Sequence, residues 1–100
     1  MTLDDVKLYL RVDGTEEDSL IQSFITAAGK EIQRRTGKTK VLIAEVEEDI
    51  SADELWQTAV KIGVADMYEN RGSESSGNVT RYSRTFNGMI EFIAVCGDYV

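Results

Sequence analysis

There is no histidine among these 100 residues, and there is a single cysteine. The first absence removes the commonest general base near neutral pH and the commonest metal ligand. It also leaves every serine without an imidazole to activate it. The second excludes an intrachain disulfide. Cys96 follows Phe92, Ile93, Ala94 and Val95, so it reads as a buried small hydrophobe without the basic neighbour that a nucleophilic thiol needs. No apolar run approaches the ~20 residues of a membrane span. The first residues carry acids where a signal peptide would carry bases, which predicts a cytoplasmic site of synthesis. Bases are few: 11 against 18 acids, for a net charge of −7. That balance disfavours a general nucleic-acid-binding surface but leaves room for a local basic patch. No glycine-rich phosphate loop follows a strand.

What is present suits one domain spanning residues 1–100. The length fits one domain and is short for two, and a hydrophobic fraction of 42% is adequate for one core. Three helix starts share one signal: Thr2 with Asp5, Thr15 with Asp18, and Ser51 with Glu54. Each hydroxyl can accept a free N–H of the first turn, and each acid favours the same helix end. The first helix is expected over about Leu3 to Leu10, followed by an Asp13-Gly14 turn. The second runs from about Glu16 to Thr36, with Leu20, Ile21, Phe24, Ile25, Ala28 and Ile32 as its apolar stripe. Gly37 is placed to end it in the left-handed conformation.

Residues 38–50 are ambiguous. Lys40-Val41-Leu42-Ile43 fits an extended segment or a helical turn, and Glu45, Glu47, Glu48 and Asp49 make the rest acidic. The third helix, about Ala52 to Asn70, is apolar nearly all round, which places it centrally or under a partner. Gly63 costs that helix about 1 kcal/mol relative to alanine, an expense that a close helix crossing can offset. Residues 72–83 are rich in Gly, Ser, Asn and Thr and read as an exposed, mobile loop. A fourth helix is expected over about Arg84 to Cys96, with Phe86, Met89, Ile90 and Ile93 facing the core. A strand reading of residues 90–95 stays open, because that run is β-branched and aromatic. The sum is an all-α fold, a compact bundle of about four helices. Phe24, Ile25, Leu55 and Trp56 are expected to be buried between the second and third.

Chemistry-bearing patterns are sparse. Asp13, Glu16, Glu17 and Asp18 lack the alternating spacing of a calcium loop and read as a charged helix start. Glu45, Glu47, Glu48, Asp49 and Asp53 can hold a divalent ion weakly, but their ordinary reading is a solvated acidic surface. Carboxylates abound, yet nothing marks one pair as buried together for glycoside hydrolysis. Asn78-Val79-Thr80 matches a glycosylation site, but a chain made and kept in the cytoplasm would not use it. No catalytic residue, cofactor site or metal site is therefore assigned. Two basic groups stand out: Arg34, Arg35, Lys38 and Lys40 at and after the end of the second helix, and Arg71, Arg81 and Arg84 around the loop. The first group suits the negative end of a helix dipole. Together, Arg34, Arg35, Arg71, Arg81 and Arg84 are the candidate partner-binding residues, for an acidic protein face or a DNA backbone.

The opening Thr2-Leu3-Asp4-Asp5-Val6-Lys7-Leu8-Tyr9-Leu10-Arg11-Val12-Asp13 resembles that of the head–tail connector (adaptor) proteins of tailed bacteriophages, also described as phage DNA-packaging connector proteins. Thr36-Gly37-Lys38 and the end of the third helix, Tyr68-Glu69-Asn70-Arg71, continue the resemblance. The chain departs from the pattern in lacking a proline before the third helix. It also closes on Gly97-Asp98-Tyr99-Val100, where a basic ending is more usual.

The resemblance implies a structural protein without catalytic residues or cofactors. It implies a ring, usually dodecameric, that docks on the phage portal protein and joins the capsid to the tail or to a stopper protein. DNA passes through such a ring without specific binding. The expected location is the host bacterial cytoplasm during assembly and then the virion neck, with no membrane. An acidic ring suits that role, because basic surfaces bind DNA tightly through counterion release. The alternative is a small acidic binding protein, a DNA mimic or regulatory adaptor acting as monomer or dimer. A small enzyme ranks last, for want of an acid, a base and a nucleophile placed together.

Overall fold

The Thr2 hydroxyl accepts the Asp5 amide, and the Asp5 carboxylate accepts the Thr2 amide at 2.9 Å. This reciprocal cap opens α1, Leu3–Leu10. The computed structural model describes residues 2–70 and 82–100. Within them α1 is followed by α2 (Asp18–Thr36), β1 (Lys40–Ile43), β2 (Val46–Asp49), a 3-10 turn (Ile50–Ala52), α3 (Glu54–Asn70) and α4 (Arg84–Val95). Gly37 ends α2 at φ 72°, in the left-handed conformation its position predicts.

Two of the expected caps are elsewhere. Thr15 offers its backbone carbonyl, not its hydroxyl, to Asp18 N at 3.2 Å. Helix α2 starts after Glu17, which makes no side-chain cap bond. The reason is tertiary: Tyr68 Oη donates to Glu17 Oε1 at 2.5 Å, and Lys7 Nζ lies 2.7 Å from Asp18 Oδ1. These contacts tie the start of α2 to α3 and α1. Ser51 lies in the 3-10 turn, and Asp53 caps α3 by accepting Trp56 N at 2.9 Å.

The all-α expectation needs one correction. Residues 40–49 form an antiparallel hairpin with Lys40 opposite Asp49 and Ile43 opposite Val46. Its two turn residues, Ala44 and Glu45, both have positive φ (51° and 69°), as a two-residue hairpin loop demands. The extended state prevails because β1 is paired on both sides. On its other edge Leu42 N donates to Asp98 O at 2.7 Å and Val100 N to Lys40 O at 2.8 Å. Tyr99 lies opposite Val41. A partner more than fifty residues away is invisible to local propensity.

One core joins the described elements: Val6, Ile21, Ala28, Ile32, Val41, Ile50, Ala59, Val60, Val64, Met67, Phe86, Ile90, Ile93 and Tyr99. Helix α3 is central, touching α1, α2, α4 and the 3-10 turn. At its crossing with α4 a Cβ on Gly63 would fall 2.6 Å from the Phe86 ring, so the glycine permits the approach. Phe24, Ile25, Leu55 and Trp56 are only partly buried. The deepest line of α2 is Ile21, Ala28 and Ile32, and the wider apolar stripe leaves Phe24 and Ile25 at its margin. Cys96, just past the end of α4, is also partly buried.

Most of the expected loop, residues 72–81, lies outside the described residues. Its last two positions are anchored. Tyr82 stacks on Phe86 with ring centroids 4.4 Å apart. Ser83 caps α4, and its own amide donates to Asp66 Oδ2 at 2.8 Å.

Candidate partner-binding surfaces

The end of α2 packs beside the start of α4, and this junction gathers the basic side chains. Arg34 holds Glu31 through Nε at 3.1 Å and Nη2 at 2.8 Å, an (i, i+3) pair along the helix. Its guanidinium is otherwise in solvent, so the pair orients the arginine more than it stabilises the fold. Arg35 reaches across to α4, where Nη1 donates to Asn87 Oδ1 at 2.7 Å. Tyr82 lies within electrostatic range of both arginines. Burial pushes its phenol above the ordinary tyrosine range, and the Glu31 and Asp66 carboxylates act in the same direction.

Arg84, in the first turn of α4, is exposed and pairs with no acid among the described residues. Of the candidate arginines, Arg34, Arg35 and Arg84 therefore belong to the α2–α4 region, while Arg71 and Arg81 lie outside the described residues.

Two apolar surfaces were not singled out by the sequence pattern. The first is a groove between α3 and α4, lined by Leu55, Arg84, Thr85, Gly88, Met89 and Phe92. Phe92 is 52% exposed, and Gly88 leaves its floor open, with nothing near the position of a Cβ. The signal was present: residues 90–95 are apolar on both sides of the helix. Apart from Glu91, that two-sidedness is the pattern of a helix whose outer face is also covered.

The second surface is the hairpin tip. In a strand, alternate residues share a face. Val41, Ile43 and, across the register, Val46 therefore form an apolar stripe, on a face that also carries the exposed Glu48 opposite Val41. The stripe begins in the core with Val41 at 2% exposure and runs out through Ile43 at 41% to Val46 at 56%. Glu45 and Glu47 flank the tip, and Glu47 lies 3.7 Å from Lys40 Nζ.

Among the described residues no group of three or more Cys, Asp or Glu side chains converges to hold a metal ion. No helix among them is long and apolar enough to cross a membrane. The arrangement offers surfaces for other macromolecules: a basic junction, an apolar groove and an apolar, acid-flanked tip. A family model described as phage gp6-like head-tail connector protein matches residues 1–92. No curated protein and no solved structure matches the chain at a significant level.

Proposed function

The chain belongs to the phage gp6-like head-tail connector family, and from that premise we propose that it is a ring-forming subunit that docks on the portal protein and links the capsid to the tail or a stopper protein. The family match carries this reading, because it spans all four helices up to the last turn of α4. The family is one of structural phage proteins, so the subunit acts by geometry and not by catalysis. It assembles in the host cytoplasm and ends in the virion neck.

Charge and surface support the ring. Twelve or so copies at −7 each line a channel that repels the DNA backbone, which lets the genome pass without sticking. A cyclic assembly needs two different, mutually complementary faces on each subunit, and the α3–α4 groove and the hairpin tip are two dissimilar exposed apolar surfaces. The candidate arginines Arg34, Arg35, Arg71, Arg81 and Arg84 supply local positive charge for acidic neighbours in an otherwise acidic subunit.

Electron microscopy of the purified protein mixed with its cognate portal tests the proposal. Rings of cyclic symmetry seated on the portal are expected. A stable free dimer that ignores the portal would instead favour a small acidic binding protein, such as a DNA mimic.

A further inference from the structure

We propose that neighbouring copies in the ring join by seating the β1–β2 hairpin tip of one subunit in the α3–α4 groove of the next. The inference rests on the ring reading above and names the surfaces that make it. The occupant of the groove is thus a second copy of this chain, presenting Ile43, Val46 and Glu45.

The first argument is complementarity of shape and polarity. The groove is shallow and apolar, lined by Leu55, Met89 and Phe92, with open space beside Gly88. The hairpin tip is narrow, apolar on one face and convex. Ile43 and Val46 stand directly opposite each other beside the two-residue turn, which places two branched side chains together at the end of a projecting ribbon. Their stripe continues from Val41 in the core. The other face of the hairpin carries Lys40, Leu42, Glu47 and Asp49, so the pair Ile43 with Val46 at the tip is where the ribbon offers an uncharged surface.

The second argument is charge. Arg84 lies at the groove and is without an acidic partner among the described residues. Glu45 sits at the apex of the hairpin, held there by its left-handed backbone conformation. Seating the tip brings the two signs together at the rim of an apolar contact. That is where charge selects the correct register while contributing little affinity.

The third argument is symmetry. The two surfaces share no residue, so one subunit can give its tip to one neighbour and its groove to the other. Head-to-tail contacts of this kind close into rings, whereas a self-complementary patch would stop at a dimer.

Disulfide trapping tests the pairing. In a Cys96→Ser background, Val46→Cys and Phe92→Cys are placed in one chain, and the protein is assembled on its portal and oxidised. Both positions are exposed, and circular dichroism checks that the helices persist. A ladder of covalent multimers on a non-reducing gel is expected, with each single-cysteine variant giving none and the two mixed giving dimers only. Rings visible by electron microscopy but without a ladder would overturn the pairing and leave the ring reading intact. Absence of rings on the portal for the unmodified protein would overturn both.

A charge exchange serves if the cysteine variants misfold. Glu45→Arg and Arg84→Glu should each weaken ring formation, and the two together should restore it. A double variant no better than either single variant would overturn the pairing.

Discussion

The phenolic hydroxyl of Tyr99 donates to Asp53 Oδ2 at 2.6 Å, and the same oxygen accepts the Trp56 amide at 2.9 Å. One carboxylate thus caps α3 and fastens the segment that pairs with β1. Tyr99 lies beyond the residues that the family model matches. It holds the hairpin base against the helices, and the hairpin carries the proposed ring contact.

Tyr99→Phe should remove that hydrogen bond to a carboxylate and destabilise the fold by about 1.5–3 kcal/mol, measured by urea denaturation at neutral pH. The variant should also change the response to alkali. Burial, and then the bond to Asp53, push the Tyr99 phenol well above its ordinary value. Above about pH 10 the unfolded chain releases this proton while the folded chain keeps it, so each further rise in pH favours unfolding. Stability should therefore fall with rising pH in the alkaline range, and less steeply in Tyr99→Phe. Tyr82, raised in the same direction by burial, retains part of the slope. An unchanged alkaline slope in the variant would show that Tyr99 does not stay protonated in the fold.

Gly63→Ala should destabilise the protein even though alanine is the better helix former. Propensity favours the change by about 1 kcal/mol. The added methyl, however, would lie 2.6 Å from the ring of the fully buried Phe86, and overpacking of this kind typically costs about 1–3 kcal/mol. The clash outweighs the propensity, so a lower unfolding midpoint is expected. A raised midpoint would mean that α3 and α4 can separate at no expense.

Phe86→Ala should cost about 3–5 kcal/mol, the usual range for emptying a filled aromatic site. Phe24→Ala should cost clearly less, because Phe24 is only partly buried and part of its surface is already in water. Denaturation of both variants in parallel checks the order. Equal losses would move the centre of the core toward α2.

That contrast marks how far local pattern reaches. The helical stripes on α1, α2 and α4 were legible, because each repeats at helical spacing and ends at a recognisable signal, such as the Thr2 cap or Gly37. Which residues of a stripe lie deepest was not: Phe24 and Ile21 look alike in sequence, and only the position of α3 decides between them. The hairpin was half legible. Val41 suits a strand, but its partners Glu48 and Tyr99 are set by tertiary pairing, and Ala44 and Glu45 are not the glycine and asparagine that announce such a turn. The caps at Thr15 and Ser51 were misplaced for the same reason, since Glu17 and Asp53 are claimed by Tyr68 and Tyr99. Of the basic cluster, residue types gave the charge, and the fold alone showed that Arg35 is engaged with α4 while Arg84 faces outward.

The arginines should therefore separate into two classes. Arg35 bridges α2 to Asn87 on α4 and also lies 3.7 Å from Glu31. Arg35→Glu breaks that bridge and sets a carboxylate beside Glu31, so the midpoint of unfolding should fall. A hydrogen bond to a charged group contributes about 1.5–3 kcal/mol at most, and less where, as here, water reaches it. Arg34 and Arg84 are exposed and touch no other helix through a hydrogen bond or ion pair among the described residues. The double variant Arg34→Glu with Arg84→Glu should leave the helical spectrum and the unfolding midpoint nearly unchanged, because exposed pairs contribute about 0–1 kcal/mol. Its defect should appear only in assembly, as weaker incorporation on the portal and a smaller dependence on salt. Full incorporation by this variant would leave both arginines as solvated surface and place the polar part of the contact elsewhere. Loss of stability in the double variant, with none in Arg35→Glu, would reverse the division drawn from the geometry.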